Sequence, residues 1–128
     1  MTKKKIERIS IMYKKEIMWL KCFFLSDNHN PKRTILERKI HDSFLANKTD
    51  EAAFSVNLNM VTREVISETD ELLVRVLKEV YVYESMDIVE ACQNLLFLNS
   101  LEVYNYLDKW FDGYFYQTYK YLSLINKF

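Results

Sequence analysis

MDIVEACQNLLFLNSLEVYNYLDKWFDGYFYQTYKY, Met86–Tyr121, reads as a short helix, a turn of about three or four residues and a longer aromatic helix. Ile88, Ala91, Cys92, Leu95 and Leu96 fall at helical spacing behind Asp87, which is placed to cap the first turn. Leu98-Asn99-Ser100 interrupts that pattern. Asn99 followed by Glu102 has capping-box spacing for the next helix. Leu101, Tyr104, Leu107, Phe111 and Tyr114/Phe115 then form an apolar stripe along it. Helix, tight turn, helix is the outline of a helix-turn-helix.

Upstream, Val61–Tyr83 predicts a helix, with Val61, Val65, Ile66, Leu72, Leu73, Val76, Leu77 and Val80 on its core side. Glu64, Glu68, Asp70 and Glu71 make its outside acidic. Phe54–Met60, FSVNLNM, alternates strictly, which is strand period. With no second strand in the chain to pair with it, the expectation is an extended connector laid over the core. Asn30-Pro31 is placed as N-cap and first residue of a helix to about Leu45, after the turn formers Ser26–Pro31. Ile6, Ile9, Tyr13, Ile17, Leu20 and Phe24 predict a first helix over about 2–25. The expected fold is therefore all-α: one domain, a small bundle of about five helices at 2–25, 31–46, 61–83, 86–97 and 100–125, with a linker at 54–60.

Composition agrees with that class. One Gly and one Pro among 128 residues leave few tight turns for a sandwich or barrel, and 49% apolar residues suffice for a core. Net charge is zero but unevenly placed. Residues 1–48 hold twelve Lys/Arg against five Asp/Glu, whereas 49–128 hold six against thirteen. A basic first third suits nucleic acid, or an acidic half of the same or another chain. Cys22 and Cys92, each in a helical pattern, read as buried reduced thiols. No apolar run reaches the ~18 residues of a membrane span, and the N-terminus lacks a signal-peptide core. A cytoplasmic protein of a bacterial host cell is the expectation. His29 and His41 have no Cys, Asp or Glu at metal-ligand spacing, and no phosphate-cradling Gly loop exists. No metal, cofactor, small-molecule substrate or enzymatic activity is expected.

Within this frame LLVRVLKEVYVYESMDIVEACQNLLFLNSLEVYNYLDKWFDGYFYQTY, residues 72–119, resembles the C-terminal region of the ArpU/RinA-like phage transcriptional regulators. Ser100, Val103, Tyr104, Leu107 and Lys109 stand at positions matching that family's motif, followed by the aromatic Phe115–Tyr119. The likeness spans about residues 70–121. It implies a sigma-factor-like helix-turn-helix and a phage or mobile-element transcription regulator that binds DNA without catalysis, as a dimer.

Two sets of candidate residues follow. For DNA they are Lys4, Lys5, Arg8, Lys32, Arg33, Arg38 and Lys39, which can neutralise phosphates, with Ser100, Asn105 and Lys109 on the second helix. That second helix also carries Glu102, Asp108 and Asp112, so its charge sum is negative, and a carboxylate near a phosphate repels it. The alternative is a non-catalytic, protein-binding inhibitor of phage counter-defence type. It would present Glu102, Tyr106, Asp108, Trp110, Asp112 and Tyr116 to a host nucleic-acid-binding protein.

Overall fold

The computed structural model describes residues 9–91, 94 and 100–125. It is all-α. In chain order the elements are α1 (Lys14–Phe24), α2 (Ile35–Leu45), α3 (Thr49–Ser67), α4 (Glu71–Leu77) running into a π-helical segment (Lys78–Val82), α5 (Ile88–Ala91) and α6 (Ser100–Ile125). Among the described residues the one bridge of β type joins Ser26 to Thr34 across a loop. No helix there is long and apolar enough to cross a membrane.

The predicted first helix is interrupted at Tyr13, whose backbone (φ −112°, ψ 32°) leaves the helical region. The hydrogen bonds Tyr13 N–H to Ile9 O and Ile17 N–H to Tyr13 O, both 2.9 Å, carry the chain through this break. The Tyr13 ring is turned inward and stacks on Phe111, centroids 5.1 Å apart.

Helix α2 starts at Ile35, later than the Asn30-Pro31 reading. Asn30 instead builds a turn, its carbonyl accepting from Arg33 N–H and its side chain from Lys32 N–H. The N-cap is Thr34, with Glu37 three residues on completing a capping box. The helix ends at Leu45, and just past its Ala46 C-cap Asn47 takes the left-handed region at φ 58°, where Asn is tolerated.

The 54–60 stretch corrects the linker expectation, because it lies inside the nineteen-residue helix α3. Its buried positions are Ala52, Ser55, Leu58, Val61 and Thr62, a helical spacing in which small and polar residues hold the contact face. Phe54 and Met60, the apolar ends of the alternating stretch, are exposed. A helix satisfies its own backbone, whereas a lone strand leaves unpaired donors and acceptors.

The single helix expected over 61–83 is two. Thr69 Oγ1 takes the Val65 carbonyl at 2.6 Å, and Asp70 accepts from Leu72 and Leu73 N–H as the new N-cap. For the expected helix at 86–97 the structure gives α5; Cys92 and the turn at 98–99 lie outside the described residues. Helix α6 matches its expected bounds.

The core is aromatic at its centre. Phe111 meets Tyr13, Tyr81 and Trp110, and Leu20, Leu77, Val103 and Leu107 close around this group. A smaller cluster of Cys22, Leu36 and Leu58 ties α1, α2 and α3 together. Cys22 is a buried free thiol, as its setting in a helical pattern predicts.

Candidate functional site

Helix α6 turns Val103, Leu107, Phe111, Tyr114 and Thr118 into the protein, each fully buried. Between these positions the helix presents Glu102, Asn105, Tyr106, Lys109, Asp112, Phe115, Tyr116, Gln117, Tyr119 and Lys120 outward. Of the predicted partner-binding residues, Glu102, Tyr106, Asp112 and Tyr116 are exposed there. Tyr106 and Tyr116 keep 59% and 63% of their surface in solvent. Phe115 and Tyr119 extend the surface, their rings stacked at 6.0 Å. Lys15 from α1 lies over Phe115 at 5.8 Å and over Trp19 at 5.2 Å.

Two of the predicted partner residues serve the fold. The half-buried Trp110 donates its Nε1–H to Thr69 Oγ1 at 2.9 Å and packs on Phe111 and Tyr114. Asp108, also half-buried, accepts the Tyr13 hydroxyl at 3.0 Å. Beside Trp110, a shallow groove of about 390 Å³ runs between α6 and the α3–α4 junction, with Tyr106, Lys109 and Gly113 on one wall and Val65, Glu68 and Leu73 on the other. A methyl group added at Gly113 would meet open space, so this glycine is not demanded by packing.

The residues predicted for DNA are scattered. Lys4, Lys5 and Arg8 lie outside the described residues. Ser100 opens α6, and Asn105 and Lys109 are exposed next to Glu102 and Asp112. Lys32, in the loop before α2, and Lys39, within α2, are exposed. Arg33 and Arg38 flank Asp27, at 3.1 Å each, and Asp27 is buried. No sequence rule joins residues six and eleven apart across a loop, so this pairing was not legible. Burial opposes ionisation of Asp27, but the His29 N–H and the two guanidiniums outweigh it and hold the carboxyl below its ordinary value.

The interior holds a second polar group that periodicity did not reveal. Tyr114 Oη and Thr62 Oγ1 share a hydrogen bond of 2.6 Å, and Thr118 Oγ1 donates to the Tyr114 carbonyl. Glu16 is 4% exposed, and its Oε2 has no hydrogen-bond partner among the described residues. Burial opposes ionisation of Tyr114 and holds its hydroxyl well above the ordinary tyrosine value; the Thr62 hydrogen bond works against this shift and the nearby Glu16 charge adds to it.

Tyr13 gives a pH prediction. Burial, then the Asp108 hydrogen bond and charge, push its hydroxyl up to about 12 from 10.0. The folded state therefore holds the proton that the unfolded chain releases first. Its contribution is complete below pH ~10 and is lost as the pH rises toward ~12, with a limiting slope of about 1.4 kcal/mol per pH unit. Urea midpoints measured from pH 9 to 12 are expected to fall over that interval, and less steeply for Tyr13→Phe.

Among the described residues no cluster of three or more His, Cys, Asp or Glu is arranged to hold a metal ion. What the surface offers is contact: exposed rings interleaved with carboxylates on one long helix. No family model, curated protein or solved structure matches this chain.

Proposed function

We propose that the chain is a non-catalytic protein-binding module that uses the outward face of α6, of the kind a phage would direct at a host nucleic-acid-binding protein. The observation that carries this reading is the exposure of Tyr106, Phe115, Tyr116 and Tyr119 beside Asp112 along one helix. Tyrosine supplies a large rigid contact area with a polar tip, and buried aromatic anchors dominate interface energies. Carboxylates among such anchors complement a basic surface and stand where phosphates bind.

The test is differential capture. The wild-type chain and a Tyr106→Ala/Tyr116→Ala/Asp112→Lys variant, both shown folded by circular dichroism, are immobilised and exposed to bacterial lysate. Basic nucleic-acid-binding proteins retained by the wild type are expected to fall at least ~10-fold on the variant, since truncating two anchors at more than 1 kcal/mol each exceeds one decade. Equal retention by both would sink the reading. Sedimentation of the chain alone tests whether a second copy takes the same face.

A transcription regulator of the resembled type is the second reading. It is favoured by the exposed Lys32 and Lys39. Anisotropy of labelled duplexes from the neighbouring genome at ~50 and ~200 mM salt tests it. A preferred fragment whose binding falls on Lys109→Ala supports DNA reading by α6; absence of binding at the lower salt excludes it.

A further inference from the structure

We infer that the loop from Ser26 to Thr34, with the first turns of α2, is a clamp for the phosphates of a nucleic-acid backbone, organised by Asp27 and separate from the α6 surface. It does not rest on the protein-binding reading; each can fail alone.

The loop is a built element. Asp27 N–H donates to Arg33 O at 2.9 Å and Ile35 N–H to Leu25 O at 3.0 Å, closing the loop's two ends on each other. Inside it, the fully buried Asp27 carboxylate accepts Arg33 Nε–H on Oδ2, and Arg38 Nη1–H and His29 N–H on Oδ1. One carboxylate thus fixes two guanidinium planes from two elements, the loop and α2.

Donor counting gives the function. A guanidinium has five N–H donors. Among the described residues each of these two makes a single hydrogen bond, to Asp27, while 30% and 33% of their side-chain surface meets solvent. Two cations about one anion leave unneutralised positive charge on pre-oriented forks, the geometry that suits a phosphate. Lys32 and Lys39 are exposed on the same segment; Glu37, which caps α2, and Asp42 are the nearby acids in sequence. The loop tip explains why the ligand is a backbone and not an acidic peptide. Asn28, His29, Asn30 and Lys32 are exposed and polar, and Pro31 is the one exposed apolar side chain among them, with no aromatic ring or long aliphatic chain to anchor a peptide. Phosphates need no such anchor, because charge and hydrogen bonds supply their affinity.

The test turns on a charge paradox. Asp27→Asn removes a negative charge, so a diffuse basic patch would bind DNA more tightly. A clamp would bind it more weakly, because its forks lose their orientation. Arg33→Lys/Arg38→Lys keeps every charge and loses the planar forks; it decides the matter should Asp27→Asn fail to fold. The full chain, ¹⁵N-labelled, is titrated with inorganic phosphate, a mixed-sequence 16-bp duplex and a glutamate dodecamer at ~50 mM salt.

Amides of the loop and early α2 are expected to move with phosphate and with the duplex. Duplex affinity is expected to fall about 40-fold between ~50 and ~200 mM salt if three phosphates are held. The double Lys variant is expected to bind about 10-fold more weakly, as the loss of a bidentate contact worth ~1.4 kcal/mol implies. Unmoved amides, or variants that bind the duplex as well as or better than wild type, overturn the clamp. Response to phosphate alone, or equal affinity for the glutamate dodecamer, overturns its assignment to nucleic acid.

Discussion

Replacing Phe111 with alanine is expected to cost about 3–5 kcal/mol, the range for emptying a buried aromatic site. Phe111 has no solvent exposure and is the ring on which three elements meet. Tyr13 stacks on it from before α1, Tyr81 meets it edge-on from the π-helical segment, and its neighbour Trp110 packs at 5.1 Å. Two of these partners cannot close the cavity without leaving a bond of their own. Tyr13 is held by Asp108 and Trp110 by Thr69. Small domains have only ~5–15 kcal/mol of total stability, so the variant stands near unfolding at room temperature. Urea denaturation followed by tryptophan fluorescence measures the loss. A cost under ~1 kcal/mol would mean the core collapses freely around the gap and the aromatic centre does not hold the bundle.

The opposite sign is expected at Glu16. Replacement by methionine, of similar length and without charge, is expected to raise stability by on the order of 1–3 kcal/mol. Its carboxylate is almost wholly buried, with Oε2 lacking a partner, in a region otherwise closed by Leu20 and Tyr114. A buried polar atom without a hydrogen bond has lost its water and gained nothing in return. The same urea experiment checks this, with a higher midpoint and an unchanged slope as the expected result. A lower midpoint would show that Glu16 is held by a group outside the described residues or by an ordered water. The two substitutions are also expected to be partly coupled, because Tyr13, which stacks on Phe111, stands three residues before the buried Glu16.

How far the sequence disclosed this fold depends on which period a segment obeys. The bounds of helix α6 were legible, and Leu107, Phe111 and Tyr114 of its predicted stripe are buried, but Leu101 and Phe115 of that stripe are exposed and Val103 and Thr118 take the inward positions. Phe54–Met60 was not legible. Its apolar residues alternate by chance of composition, while Ala52, Ser55 and Thr62, which make the contact, carry little hydrophobic signal. The break after Ser67 was concealed by acids that suit a helix surface and a helix cap equally; only the Asp70 hydrogen bonds separate the two roles. At the surface, exposure of Tyr106 and Tyr116 followed from the helix wheel, but the inward commitments of Asp108 and Trp110 depend on partners 95 and 41 residues away. The Asp27 network is likewise non-local in kind, since a loop must fold back before its carboxylate meets α2.

The π-helical segment has a consequence for how this chain tolerates change. Val76 and Leu77 are buried, and the next buried pair, Tyr81 and Val82, follows at an interval of five, with Tyr83 N–H reaching back to Lys78 O at 2.7 Å. Such a bulge is one residue more than an α-helix would use. Deleting a single residue from Lys78–Val82 would restore α-helical winding and rotate everything downstream by about 100°. The junction therefore acts as a phase adjuster: the aim of α5 is set by the number of residues there. Substitutions at the half-buried Lys78 or Glu79 are expected to be absorbed far better than a one-residue deletion, which would also turn the buried Tyr81 and Val82 out of register.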